Sequence, residues 1–189
     1  MHVGAGQLAW IQGGAGGVGG FAIQICRGLG ATVITTASER NRDFVASLGA
    51  SHCIHYDKED VVTEIMKITE DRGVDAVAGT VDAASADQGV KVLAYRGGIA
   101  CVSGLPTLNP ETFAGAHSIH AVSLGLAHQS RNRAAQIDLA KMGQEMIGLV
   151  AGGQINPMVE QVIRFEEIPA GLAQLQTRHV RGKIVAEIS

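Results

Sequence analysis

The sequence predicts an α/β fold in which helices cover both faces of one parallel β-sheet. Short apolar runs alternate with segments of helical periodicity, which is typical of consecutive β-α-β units with right-handed crossovers. The run TVITTA at residues 32–37 is rich in β-branched residues, as expected of a central strand buried on both faces. A glycine-rich corner, IQGGAGGVGG at 11–20, joins the first strand-like run to the first helix. We therefore expect a doubly wound sheet of six parallel strands.

The predicted elements of this sheet follow one another in strand–helix order. The predicted strands are residues 8–12, 32–37, 51–54, 74–81, 98–103 and 119–124. The predicted helices between them are residues 18–29, 41–48, 61–69 and 84–93. In the first helix, apolar residues at helical spacing form one stripe, which consists of Val18, Ala22, Ile25 and Leu29. Gly49 and Gly73 follow the second and third predicted helices. Glycine is common after a helix, since it readily takes the left-handed conformation found there.

The alternation changes after the turn Gly104-Leu105-Pro106. The later elements are predicted as a helix at about 133–150, a strand at 159–165, a short helix at 168–176 and a strand at 184–188. No crossover links these strands into the parallel sheet. We therefore divide the chain into a doubly wound domain at 1–127 and a segment at 128–189 that leaves it.

Composition and charge exclude several classes of function. The 189 residues are 46% hydrophobic and 17% charged, which is enough for one sizeable core. The net charge is −3, the basic residues are scattered and aromatic residues are only 4%, so nucleic acid is not an expected partner. No apolar run reaches the length of a membrane span, and the glycine-rich N-terminus does not resemble a signal peptide. We expect a cytoplasmic chain that does not associate with membranes.

The cysteines and histidines indicate neither a disulfide nor a metal site. Cys26, Cys53 and Cys101 are odd in number, far apart and each in an apolar context, which favours buried reduced thiols. The seven histidines do not combine with them at the spacing that zinc ligands use. We expect this chain to bind no metal.

The glycine-rich corner matches the pattern of a dinucleotide-binding turn. Gly14, Gly16 and Gly19 fit G-x-G-x-x-G directly after a predicted strand and at the start of a predicted helix. In that pattern the first glycine permits a tight turn, the second lets the backbone approach a pyrophosphate, and the third lets helix and strand pack closely. Gly17, Gly19 and Ala22 would fit a G-x-G-x-x-A register, but the strand end and the helix phase favour the first. The predicted pyrophosphate contacts are Gly14, Ala15, Gly16, Gly17, Val18 and Gly19.

The residues after the second strand indicate which dinucleotide is bound. An acidic residue about 20 positions after the glycines would hold both ribose hydroxyls of NAD. Ser38 occupies the corresponding position here, and Glu39, Arg40 and Arg42 follow it. A hydroxyl and guanidinium groups suit the 2′-phosphate of NADP, so we predict NADP(H) over NAD(H). Two observations keep the alternative open, because Glu39 could hold a ribose diol and the arginines would also suit a solvated helix start.

Three stretches resemble the medium-chain dehydrogenase/reductase superfamily, and within it the zinc-independent quinone oxidoreductases. They are GGAGGVGGFAIQICRGLGATVITTAS, LGASHCIHYDKED and HVRGKIVAEIS. The resemblance implies a Rossmann-type coenzyme domain and, in a whole member, a GroES-like catalytic domain built mainly from preceding residues. It implies that this chain is the coenzyme-binding half, with roughly 130 to 150 residues of a whole member absent before Gly13. The segment at 128–189 would normally pack on that catalytic domain.

The resemblance also implies roles for residues outside the glycine turn. Tyr56 matches a tyrosine that lies against the adenosine 2′-phosphate in NADPH-dependent relatives, with Ser38 and Arg40 beside it. The alternative for Tyr56 is a strand-end aromatic residue that covers the core. The residues expected at the nicotinamide and its carboxamide are Thr80, Val81, Gly104, Leu105, Leu124 and Gly125. The sequence departs from the family at 79–82, where relatives usually carry an acid first and a glycine last.

The function that the resemblance implies is hydride transfer from NADPH to a quinone or an enone. The expected partners are such a small molecule, or an aldehyde or alcohol, and a second copy of the chain paired through the edge strand from Ile119 to Leu124. No catalytic side chain is predicted, and we expect the chain alone to bind the cofactor with little turnover. The alternatives are a zinc-type alcohol dehydrogenase with its ligands in the other half, a non-catalytic NADP(H)-binding or assembly module, and a fold-level lookalike such as a methyltransferase.

Overall fold

The computed structural model describes residues 2–177 and 180–188. Its main sheet has six parallel strands in the order β3-β2-β1-β4-β5-β6. These strands are β1 Leu8–Ile11, β2 Thr32–Ala37, β3 His52–His55, β4 Val74–Gly79, β5 Leu93–Cys101 and β6 Ser118–Ala121. The helices between them are α1 Gly17–Gly28, α2 Arg42–Leu48, α3 Val61–Ile68 and α4 Ala83–Lys91. The predicted doubly wound sheet of six parallel strands is confirmed.

Two apolar clusters, one on each face of the sheet, form the core. On one face Ile34 of β2 packs in the same cluster as Ile65 of α3, and both are fully buried. On the other face Val33 packs in a cluster with Ile23 of α1 and Val45 of α2. Consecutive residues of β2 therefore serve opposite faces, as the period of a strand requires. This is why a run of β-branched residues without polar alternation marks the strand.

The two largest differences from the predicted boundaries have local reasons. Strand β5 begins at Leu93 rather than at residue 98. Its register with β4 shifts near the start, and Arg96 has a φ of 64°, so an irregularity interrupts the apolar pattern that marks a strand. Strand β6 ends at Ala121, and a short helix that was not predicted, α5 Leu126–Gln129, follows it. Four residues are too few for helical periodicity to be detected.

Most of the apolar stripe that indicated α1 faces away from the core, although Ala22 packs against it. Val18 and Leu29 are more than half exposed, while the buried residues of the helix are Gly19, Gly20, Ile23 and Cys26. Small residues on the inner side let the helix axis come close to the sheet. The periodicity thus located the helix but not its buried side.

The C-terminal elements return to α1. They are α6 Arg133–Ala151, β7 Val159–Arg164, α7 Ile168–Gln176 and β8 Lys183–Glu187, and β7 and β8 form a separate parallel pair. Helix α6 buries no residue, whereas Met158 is buried in the α1–α2 cluster. A Cβ on Gly20 would lie 2.9 Å from Met158 Cε, so a glycine on α1 makes room for it. The division of the chain at residue 127 remains a prediction.

Candidate dinucleotide site

The glycine turn between β1 and α1 is shaped by internal packing. Gly13 has a φ of 61°, and the Gly14 N–H donates to Thr36 O at 3.1 Å. A Cβ on Gly14 would overlap the Thr35 hydroxyl and lie 2.7 Å from Ile23 Cδ1, and one on Gly19 would overlap the Gly13 carbonyl. The turn can therefore close only without side chains at the first and third motif positions.

The first turn of α1 supplies the free donors of this corner. The Gly16 N–H donates to Gly13 O at 3.0 Å, so it serves the turn itself. The helix begins at Gly17, and its N-cap, Gly16, makes no side-chain capping bond. The N–H groups of Gly17, Val18 and Gly19 have no acceptor within the helix, and the helix dipole favours an anion there. The geometry fits a pyrophosphate held by first-turn amides, with Gly14 and Gly16 as shaping residues.

Lys183 lies at the same corner, although it is far from the glycine turn along the chain and no motif places it there. A Cβ on Gly17 would overlap its ammonium group. The Gly182 N–H donates to Ala15 O at 3.0 Å and the Lys183 N–H to Met158 O at 2.8 Å, so the start of β8 is fixed against the turn. Among the described residues no carboxylate forms an ion pair with Lys183. A cation from the C-terminal strand thus adds positive charge to the N-terminus of α1.

The predicted ribose contacts lie together at the ends of β2 and β3. Ala37 and His55 are partners in the parallel register, so Ser38 and Tyr56 follow neighbouring strands at one edge of the sheet. Ser38 is half-buried, and its Oγ accepts a hydrogen bond from Asn41 Nδ2 at 3.1 Å. Tyr56 is 60% exposed and therefore does not cover the core.

Charged side chains surround this edge. Arg40 is exposed beside Ser38, and Glu39 forms an ion pair with Lys58. The hydrogen bond and charge of Lys58 hold the pKa of the Glu39 carboxyl below its ordinary value. The Glu39 carboxylate, which could hold a ribose diol, is thus paired with Lys58 in this structure.

The predicted nicotinamide contacts follow the neighbouring strands β4, β5 and β6 at the same edge of the sheet. The Thr80 hydroxyl donates to Gln12 O at 2.6 Å and ties the end of β4 to β1. Gly104 lies close to α4, since a Cβ there would be 2.6 Å from the Ala83 nitrogen. The remaining four residues are exposed, and they are Val81, Leu105, Leu124 and Gly125. These residues thus line one side of the candidate site, and the apolar side chains of Val81, Leu105 and Leu124 are exposed there.

The three thiols are free, with Cys26 and Cys101 buried and Cys53 half-buried. Burial raises the pKa of all three thiols, so they are protonated at neutral pH, as expected of structural residues. Within residues 2–177 and 180–188 no three His, Cys, Asp or Glu side chains come together in a group that could hold a metal ion. None of the helices in that part of the chain combines the length and apolar character of a membrane span.

Comparison with known proteins identifies the family. Residues 17–154, from the first turn of α1 to just beyond α6, match the zinc-binding dehydrogenase family. The chain belongs to this family. It therefore belongs to the medium-chain dehydrogenase/reductase superfamily, and it corresponds to the coenzyme-binding half. The described residues contain no group of three His, Cys, Asp or Glu side chains that would fit a zinc centre.

The proteins to which the chain is similar include an enoyl reductase and two quinone oxidoreductases. A trans-enoyl reductase, pgmF, of Aspergillus terreus is 44% identical over 64 residues, which cover 34% of this chain and 18% of that protein. The quinone oxidoreductase of Coxiella burnetii is 30% identical with a TM-score of 0.73, over 99% of this chain and 54% of that one. The Escherichia coli quinone oxidoreductase complexed with NADPH shares the fold, with a TM-score of 0.84 at 23% identity over 99% and 59% of the two chains. The chain thus spans little more than half the length of these two structures.

Proposed function

We propose that this chain binds NADPH and serves as the coenzyme-binding part of a reductase for quinones or other α,β-unsaturated carbonyl compounds. The observation that carries the proposal is the side-chain-free turn at Gly14 and Gly16, which leaves the first-turn amides of α1 open beside the Lys183 ammonium. Backbone donors, a helix N-terminus and a cation together suit a diphosphate. The family membership supports an oxidoreductase.

The preference for NADPH over NADH is supported at the ribose end. Ser38, Arg40 and Tyr56 come together there, and Lys58 compensates the carboxylate of Glu39. A guanidinium and hydroxyl groups suit a phosphate dianion. The NADPH complex of the Escherichia coli quinone oxidoreductase, which has the same fold, is consistent with this preference.

The substrate class is supported by the apolar nicotinamide end and by the relatives. NADPH supplies the hydride when bound, and the protein orients the nicotinamide and keeps water away from it. Val81, Leu105 and Leu124 offer apolar surface there, which suits an uncharged conjugated carbonyl. A quinone and an enoyl group, named for the Coxiella burnetii and Aspergillus terreus proteins, both contain a carbon–carbon double bond conjugated to a carbonyl.

Titration of the chain with NADPH and NADH, side by side in a calorimeter, tests this proposal. We expect NADPH to bind and NADH to bind about tenfold more weakly, which is the size of one hydrogen bond to a charged group. The chain alone should show little quinone reduction, because the apolar side chains at the nicotinamide end are open to water. Absence of heat with both nucleotides would remove the proposal, and tighter binding of NADH would reverse the cofactor assignment.

We also propose that two copies pair through β6. This strand ends the order of the main sheet, so its outer backbone groups have no neighbour within that sheet, and pairing with a second copy would satisfy them. Analytical ultracentrifugation should give a mass about twice 19.6 kDa. A sedimentation mass of one chain at every concentration would contradict the pairing.

A further inference from the structure

Glu39 and Lys58 form an ion pair at the place where the adenosine ribose is expected. Glu39 begins a 3₁₀ turn, Glu39–Asn41, directly after Ser38. Lys58 lies in the turn after β3, where its N–H donates to His55 O at 2.9 Å. Because β2 and β3 are parallel neighbours in the register Ala37–His55, residues from two separate loops meet at one edge of the sheet.

Charges of both signs surround this pair, with His55 and Arg42 acting on Glu39 and Asp57 acting on Lys58. Lys58 lowers the pKa of the Glu39 carboxyl through a hydrogen bond and its charge, and His55 and Arg42 act in the same direction. Glu39 in turn raises the pKa of the Lys58 ammonium, so both groups are charged at neutral pH. Each side chain is more than half exposed, and an exposed ion pair contributes little to stability. A ligand group can therefore replace one partner at small cost.

We propose that the Glu39–Lys58 pair selects between NADPH and NADH by exchange of partners. This proposal rests on the dinucleotide binding proposed above. The 2′-phosphate of NADPH takes the Lys58 ammonium as its counter-ion in place of Glu39. The ribose diol of NADH instead donates to the Glu39 carboxylate. Lys58 favours the phosphate and Glu39 favours the diol, so the balance between the two side chains sets the cofactor preference.

The substitutions Lys58→Gln and Glu39→Gln test this exchange when each variant is titrated with NADPH and NADH. In Lys58→Gln the carboxylate is uncompensated, so NADPH should bind about tenfold more weakly, the size of one charge-assisted hydrogen bond, while NADH binds equally well or better. In Glu39→Gln the ammonium is free, so NADPH should bind more tightly and NADH more weakly. Adenosine 2′-monophosphate is a second probe, and it should lose affinity for Lys58→Gln.

A matched pair of control residues lies on α3. Lys67 and Glu64 form an ion pair of the same type with 3.4 Å between Nζ and Oε2, and Lys67 stands in the last turn of the helix, away from the edge where Ser38 and Tyr56 lie. Lys67→Gln and Glu64→Gln should leave both affinities unchanged. This control separates local contact from a general change of net charge.

The outcomes distinguish this inference from the proposed function. If Lys58→Gln leaves the ratio of the NADPH and NADH affinities unchanged, or Glu39→Gln weakens NADPH, the exchange is wrong although dinucleotide binding stands. If the unaltered chain binds neither nucleotide, both proposals are wrong. Opposite shifts of the ratio in the two variants, with no shift in the α3 controls, support the exchange.

Discussion

Gly16→Val is expected to lower the affinity for NADPH at least about 100-fold, a loss of about 2.7 kcal/mol. A Cβ on Gly16 would have only the Gly13 carbonyl near it, at 3.3 Å, and the backbone of Gly16 has a φ of −79° that valine also adopts. The variant should therefore fold. Its isopropyl group would stand before the first-turn amides of α1 and keep the pyrophosphate away from them. Isothermal titration measures the loss directly.

Gly28→Val is the matched control for this experiment. Gly28 is the last residue of the same helix, and no atom lies within 4 Å of the position that its Cβ would take. This variant should bind NADPH as the unaltered chain does. Undiminished binding by Gly16→Val would mean that the dinucleotide does not use this corner. An unfolded Gly16→Val variant would show that the turn is more tightly packed than its geometry indicates.

Gly19→Ala is expected to cost about 2–3 kcal/mol of folding free energy. The added Cβ would overlap the Gly13 carbonyl and lie 2.9 Å from Gly14 Cα. Both neighbours are backbone, which cannot turn aside as a flexible side chain does, so α1 must move away from the sheet. The midpoint of thermal unfolding should fall by about 5 to 10 °C, as circular dichroism would show.

Gly148→Ala separates this effect from the general effect of a methyl group in a helix. Gly148 lies within α6, and nothing comes within 4 Å of the Cβ that it would carry. There the substitution should stabilise the chain by up to about 1 kcal/mol, because alanine loses less backbone entropy than glycine in a helix. Equal effects at the two positions would contradict the close contact between α1 and the turn.

The local elements were predictable because their signals are local. Strand β2 and helix α7 have the bounds that the sequence predicted, since β-branched runs and helical periodicity are read within a few residues. The parallel arrangement of the strands followed from the alternation of strands and helices. The glycine turn was recognisable because a strand, three spaced glycines and a helix are consecutive along the chain.

Several features of the candidate site depend on residues that are far apart in the sequence. Lys183 reaches Gly17 only because β8 is held by hydrogen bonds to Ala15 and Met158. The Glu39–Lys58 pair exists only because β2 and β3 are neighbours in register. No pattern within a window of the sequence reports such contacts.

The amino-acid sequence by itself determined the order of strands and helices, the glycine turn and the family, because each is encoded by the spacing of neighbouring residues. Only the tertiary structure decided which side of α1 is buried, where the C-terminal lysine lies and which charge compensates Glu39. The physical reason is that burial and ion pairing depend on distance in space, and folding sets that distance independently of separation along the chain.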